Sequence, residues 1–316
     1  MNRPAALLQA PHYVLGEIET DHREIEGLAE RAAELKMVPQ AKLWGWGTVR
    51  RTKRTLEELA VESGTATLRL AGVAAESVDA LVLCSTRFPG GPRTHGQFVE
   101  RIMSGLGLDR AAYLGVTLNR CTNLLVALET ARALVVSGRH RRVLVVTTDL
   151  IEDEVERMES FALFSDSAAS CLVTAGDSEP ADGEPADGLR YEILSTASAQ
   201  EAAALDWSHE ISADLAREAN ARLLEPVGLT VGDIDGLLHA NLFLPLVTMK
   251  ERQAGFSAKQ LYTANVTRVG HCFAADPLVN LVDQEEAGRI REGGHYVLAV
   301  SVPGSRVTVL LRRLAR

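Results

Sequence analysis

The sequence predicts an α/β protein made of two related halves, and three observations predict it. A seven-residue spacing occurs twice, from Gly72 to Asp79 (79 − 72 = 7) and from Gly228 to Asp235 (235 − 228 = 7). A longer offset also repeats, since 266 − 116 = 150 separates Val116 from Val266 and 271 − 121 = 150 separates Cys121 from His271. Apolar strands alternate with helices over short connections, which argues for parallel βαβ units. Repetition at matched offsets marks a duplication. Two such halves imply a pseudo-twofold fold of layered sheets and helices.

The elements follow in order. Residues 56–70 and 212–224 carry apolar residues at helical spacing, and Gly72 and Gly228 stand where C-capping glycines belong. Asp79 and Asp235 each open a buried apolar strand, 78–83 and 234–239. In the first half, 113–118 reads as a strand and 124–136 as a very apolar helix whose polar members are Glu129, Thr130 and Arg132. That helix ends at Ser137-Gly138, and the strand 143–147 follows. In the second half, 261–266 is the expected strand, 278–287 the helix and 296–300 the closing strand, after Gly293-Gly294. The helices beginning at Cys121 and near His271 would form the central buried pair. Residues 177–188, rich in Pro, Gly, Asp and Glu, read as a flexible loop between an N-terminal half (1–176) and a C-terminal half (189–316).

Bulk composition removes several function classes. The 316 residues carry a formal net charge of −9, opposite to the basic surface that phosphate contacts require. No apolar run approaches the roughly 20 residues that span a bilayer, and residues 5–8 are too short for a signal-peptide core, so a cytoplasmic protein is expected. Cys84, Cys121, Cys171 and Cys272 are widely spaced without a CxxC pair, which argues against a disulfide framework and a zinc site. Cys84, Cys171 and Cys272 read as buried packing thiols.

Cys121 is different in position. It lies between an apolar strand and an apolar helix, where helix dipole and free N–H groups favour thiolate and an elbow presents sulfur to substrate. His239 ends a buried strand, where an imidazole is out of place unless it lines a cleft. His271 is the duplication mate of Cys121. Together they form a candidate catalytic constellation.

Several segments resemble β-ketoacyl-ACP synthase III enzymes. Residues 138–146 are similar to the stretch after the nucleophile helix, and Phe164-Ser165-Asp166-Ser167-Ala168-Ala169-Ser170 to F-G-D-G-A-G-A. His239-Ala240-Asn241 resembles H-Q-A-N, and Asn265 to His271 resembles N-x-x-R-Y-G-N. Residues 289–293 and the last apolar strand resemble the family's C-terminus, so the likeness runs from about 45 to 313. It implies a thiolase fold of layered αβαβα type, a homodimer, and Cys121, His239 and His271 at the triad positions. It implies no permanently bound cofactor or metal, with acyl-CoA or acyl carrier protein as substrate and partner.

The departures qualify the expected chemistry. His271 replaces the family's asparagine, giving the Cys-His-His set of elongating ketosynthases. The glycine-rich loop is reduced to Val302-Pro303-Gly304-Ser305, and proline cannot donate an N–H. The oxyanion donors are therefore assigned to the amides of Cys121 and Gly304. The acidic, alanine-rich run 200–206 points to an altered substrate mouth. Arg50, Arg51, Lys250 and Arg252 are the candidates for carrier or coenzyme A contact. The leading expectation is an acyl-Cys121 intermediate passed to a malonyl thioester by decarboxylative Claisen condensation. The alternatives are transfer to an alcohol, amine or carrier thiol, and a non-catalytic partner subunit of the same fold.

Overall fold

The computed structural model describes residues 5–176, 189–206 and 211–315. Strand β1 (Ala6–Leu15) leads into a ribbon of β2 (Ile18–Asp21) and β3 (Thr48–Arg51), with short helices α1 (Leu28–Glu34) and α2 (Ala41–Trp44) between them. Helix α3 (Leu56–Ala71) begins with a Thr55–Glu58 capping box and ends on Gly72, whose φ of 63° places it in the left-handed region. The first half continues through β4 (Ala80–Cys84), α4 (Pro92–Leu106), β5 (Ala112–Val116), α5 (Asn123–Val136) and β6 (Arg142–Asp149). It closes with a small hairpin, β7 (Met158–Glu159) and β8 (Ala162–Leu163), and with β9 (Ser167–Ala175). The second half comprises β10 (Arg190–Gln200), α6 (Ala213–Leu224), β11 (Gly236–His239) and α7 (Leu244–Gln253), then α8 (Ala264–Arg268), α9 (Asp276–Glu286), β12 (His295–Val302) and β13 (Ser305–Arg313).

Nine strands hydrogen-bond in the order β11-β12-β13-β10-β1-β9-β6-β4-β5. Outward from the β1–β10 junction, β9, β6 and β4 on one side mirror β13, β12 and β11 on the other. β4 is parallel to β6 as β11 is to β12, while β6–β9 and β12–β13 are both antiparallel. The seven-residue repeat is one clasp built twice. Asp79 N donates to Arg142 O (2.9 Å) and its Oδ2 accepts from Arg142 N (2.8 Å). Asp235 N donates to His295 O (2.8 Å) and its Oδ2 accepts from His295 N (2.8 Å).

The sheet's period-two alternation then sorts side chains into layers. Val82, Val143 and Val145 face a central layer formed by α5 (Leu124, Leu125, Leu128) and α9 (Leu278, Val279, Leu281). Leu81, Leu83 and Leu144 face the other way, onto Leu68 of α3 and Phe98 and Ile102 of α4. Val297 and Ala299 likewise meet Leu223 and Leu224 of α6. The result is the αβαβα stack expected from the duplication. Each fully buried apolar side chain contributes about 1.5–3 kcal/mol, so packing fixes α5 although no side chain caps its N-terminus.

One sequence expectation fails here, and one falls outside the described residues. Segment 261–266 is not a strand. Leu261 makes an isolated bridge to Leu237, and the chain then coils into α8. The cause is Asn265, whose buried amide donates to Asn280 Oδ1 (2.8 Å) and Asp283 Oδ2 (2.5 Å) on α9, a demand that overrides β pairing. None of residues 200–206 is among those that border the cavities at Cys121. The turn Ala202–Ala204 in that run packs against Gly304. The loop expected at 177–188 lies outside the described residues.

Candidate active site

Cys121 occupies a 3-10 turn, Arg120–Thr122, that joins the chain after β5 to α5. Arg120 adopts a φ of 54°, a conformation that costs a non-glycine residue on the order of 1 kcal/mol or more. The surroundings hold it there. Arg120 Nη2 donates to Pro303 O (2.8 Å), Thr122 Oγ1 donates to Asn119 O (2.7 Å), and Asn123 Nδ2 donates to Ser85 O (3.1 Å). The sulfur is thus set at the start of a helix whose first amides are uncapped by side chains.

His271 reaches it from the other half. Its Nε2 lies 3.3 Å from Cys121 Sγ. Gly270 precedes it at φ 69°, and a Cβ there would stand 2.7 Å from Leu163 O, so the approach demands glycine. His271 N donates to Leu163 O (2.7 Å) and its carbonyl accepts from Ser165 N (2.9 Å), which ties the Phe164-Ser165 segment to the site. The ring packs among Phe164, Phe273 and Phe161, with centroids 5.0, 6.1 and 6.5 Å away.

The third partner is Asp276, which the sequence reading missed. His271 Nδ1 donates to Asp276 Oδ2. The same carboxylate accepts from Asn241 N (2.6 Å), Asn241 Nδ2 (3.0 Å) and Cys272 N (2.7 Å). Four donors fix its orientation, and with it the tautomer of His271. Burial by itself would lower the His271 pKa, but the charges of Asp276 and Cys121 outweigh burial and raise it to about 10. The line from Cys121 through His271 to Asp276 has the geometry that a nucleophile, its base and an orienting carboxylate require. The one sequence signal for Asp276 is Asp-Pro at a helix start, which announces a helix but not its partner.

His239 behaves differently from expectation. Its Nδ1 donates to Ala240 O (2.7 Å), so Nε2 carries the lone pair, is buried and has no partner. Burial lowers its pKa, keeping the ring neutral. Of the three site residues expected, the structure joins Cys121 and His271 directly, whereas His239 lines neither of the two cavities that Cys121 borders.

Those cavities meet at the sulfur. One, of about 490 Å³, is bordered by Cys121, Arg120, Phe164, Phe273 and Asp149. Burial raises the Asp149 carboxyl to about 7 despite hydrogen bonds from Thr86 N (2.6 Å) and Ser85 Oγ (3.3 Å). The other, of about 530 Å³, is bordered by Cys121, His271, Lys250, Ser301 and Pro303, among mainly apolar neighbours. Pro303 and Val302, not Gly304, form its wall, and the Gly304 carbonyl accepts from Glu201 N (2.9 Å).

The basic candidates divide. Arg50 pairs with Glu19, and Arg51 with Glu154 at 2.8 Å, so neither offers an open cationic patch. Lys250 is not a surface residue: it is buried and bonded to Glu251 at 3.0 Å. Arg252 is exposed on α7. Cys84, Cys171 and Cys272 are buried with thiols pushed upward by desolvation, as packing residues should be. Among the described residues no acidic, His or Cys cluster fits a metal, and no helix is long and apolar enough to cross a membrane.

The fold is of thiolase type, and the site brings a thiol, an imidazole and a carboxylate into line. Comparison with known proteins narrows this. The family model for 3-oxoacyl-[acyl-carrier-protein] synthase III matches residues 117–184. The curated β-ketoacyl-[acyl-carrier-protein] synthase III of Roseiflexus sp. (strain RS-1) is 25% identical over 266 residues, 76% of this chain and 78% of the relative. In fold, the chain matches the synthase III from Aquifex aeolicus VF5 (TM-score 0.77, 16% identity, covering 97% of this chain and 99% of the other). It matches Xanthomonas campestris OleA equally well (TM-score 0.79, 14% identity, 98% and 100%). The chain is thus similar to β-ketoacyl-[acyl-carrier-protein] synthase III over 76% of its length, and divergent from it in sequence.

Proposed function

We propose that the chain loads an acyl group from a coenzyme A or carrier-protein thioester onto Cys121 and hands it to an O–H, N–H or S–H acceptor, without forming a carbon–carbon bond. The observation that carries this reading is the relay Cys121–His271–Asp276. His271 Nε2 holds the thiol's proton while sulfur attacks the thioester carbonyl. A new C–S bond forms, the old one breaks, and the proton leaves with the departing thiol. Once the sulfur is acylated its charge no longer adds to that of Asp276 in holding a proton on His271, and the departing thiol carries that proton away. The His271 ring takes the acceptor's proton as the acceptor attacks, and returns it to Cys121 sulfur. Asp276 orients the imidazole and stabilises its charged form. The Cys121 amide is the donor for the developing oxyanion, since Pro303 has no N–H to offer.

Decarboxylative condensation is the second reading, favoured by the similarity to the Roseiflexus synthase. It needs two N–H donors on the malonyl carbonyl. His239 Nε2, an acceptor in its present tautomer, supplies none. Incubation with labelled acyl-CoA and malonyl-ACP separates the two. CO₂ release with a carbon-extended product would establish condensation, and acylation of Cys121→Ala would remove the nucleophile altogether. A carrier protein would dock where Arg252, Leu246 and Met249 are exposed on α7 beside the larger cavity. A homodimer would use the outer strand β5, next to exposed Tyr113 and Leu118.

A further inference from the structure

Behind the wall of the larger cavity lies a buried charge cluster that the relay does not use. Arg306 Nη1 and Nη2 donate to Glu251 Oε1 (2.7 Å) and Oε2 (3.0 Å), and both side chains are fully buried. Lys250 Nζ shares the same carboxylate at 3.0 Å with only a tenth of its side chain exposed. Two cations thus rest on one anion, leaving an excess positive charge inside the protein. A buried charge without a counterion costs several kcal/mol, and burial accordingly depresses Lys250. Lys250 borders the cavity shared by Cys121 and His271. So does Ser301, whose Oγ accepts from Arg306 Nη1 (3.0 Å), leaving its own O–H to donate. Leu242, Pro245, Leu246 and Val302 supply apolar wall to the same cavity.

We propose that Lys250, backed by the Ser301 hydroxyl, holds a free carboxylate at the far end of the acyl group, so that this site is selective for thioesters of dicarboxylic acids. The inference rests on the Cys121 acyl-enzyme reading and deepens it. A largely buried ammonium group that borders the cavity suits a small anion on a tethered chain, and the apolar walls suit the methylenes between. The carboxylate is kept through the transfer: Cys121 sulfur bonds to the thioester carbonyl carbon, the carrier thiol departs with the proton, and the distal carboxylate takes no part in bond making.

The test uses the acylation half-reaction of the full chain, followed by intact-protein mass spectrometry. Succinyl-CoA is compared with butyryl-CoA, and malonyl-CoA with propionyl-CoA, each pair matched in carbon count. The expected result is loading at least about ten-fold faster for one carboxylate-bearing member than for its neutral match, the range of a charge-assisted buried contact. In Lys250→Met that ratio falls toward one, and in Lys250→Arg it is partly kept. A wild-type ratio of one or less for both pairs overturns the proposal, as does a ratio unchanged in Lys250→Met. The wild-type ratio decides alone where the variant does not fold. Loading at Cys121 without preference sinks only this inference, whereas no loading by any of the four thioesters removes the acyl-enzyme reading beneath it.

Discussion

Arg120 and Gly270, exactly one duplication offset apart, both adopt left-handed backbone immediately before the residue that faces its partner across the site: φ is 54° at Arg120, before Cys121, and 69° at Gly270, before His271. The two halves present their reacting side chains by the same local twist. Arg120 tolerates it because its side chain is anchored to Pro303, whereas Gly270 has a carbonyl where a side chain would start.

Gly270→Ala should therefore be destabilising by about 2 kcal/mol or more, because left-handed strain adds to the clash with Leu163 O. Urea unfolding measures the loss. Iodoacetamide labelling of Cys121 in the folded variant should also slow, since His271 is displaced.

Asp276→Asn should lower the rate of Cys121 acylation by roughly 10²–10⁴-fold. The amide can still accept a hydrogen bond, but it no longer stabilises the protonated imidazole. Single-turnover acylation with a tolerated acyl-CoA provides the measurement. An effect below ten-fold would make Asp276 a packing residue only.

His239→Gln should cost less than about ten-fold in the same assay. Its Nε2 is a partnerless acceptor away from both cavities, and transfer to a heteroatom acceptor does not use it. A loss comparable to that of Asp276→Asn would restore His239 to the reacting set and favour condensation.

Two buried groups make stability depend on pH in a fixed direction. His271 is raised from 6.5 to about 10, so its contribution is complete below pH 6.5 and is lost as pH rises through 10. Asp149 is raised from 3.8 to about 7, so its contribution is complete below pH 3.8 and is lost as pH rises through 7. Thermal melts should show stability falling across both windows, from pH 3.8 to about 7 and from pH 6.5 to about 10. Asp149→Asn should flatten the acidic-to-neutral part and His271→Gln the part from 6.5 to 10.

Much of this was legible in the sequence because duplication constrains it. Asp79 and Asp235 repeat a strand-start clasp, and equal offsets place Cys121 and His271 at matching helix starts around one axis. What was not legible depends on contacts between distant segments. Asp276 becomes an orienting carboxylate only when Asn241, on the chain after β11, comes to lie against it. Asn265 reads as part of a strand until α9 claims its amide. Lys250 looks like a solvated helix charge until Arg306, on the last strand, brings it and Glu251 into one buried cluster. The tautomer of His239 is set by a single backbone carbonyl, which no spacing reveals.

Because Cys121 borders two cavities, its sulfur is a junction with two doors. A guest bound through one passage can stay lodged while the other passage swaps its occupant. Widening one corridor by substitution should then alter which guests are admitted on that side and leave traffic on the opposite side intact.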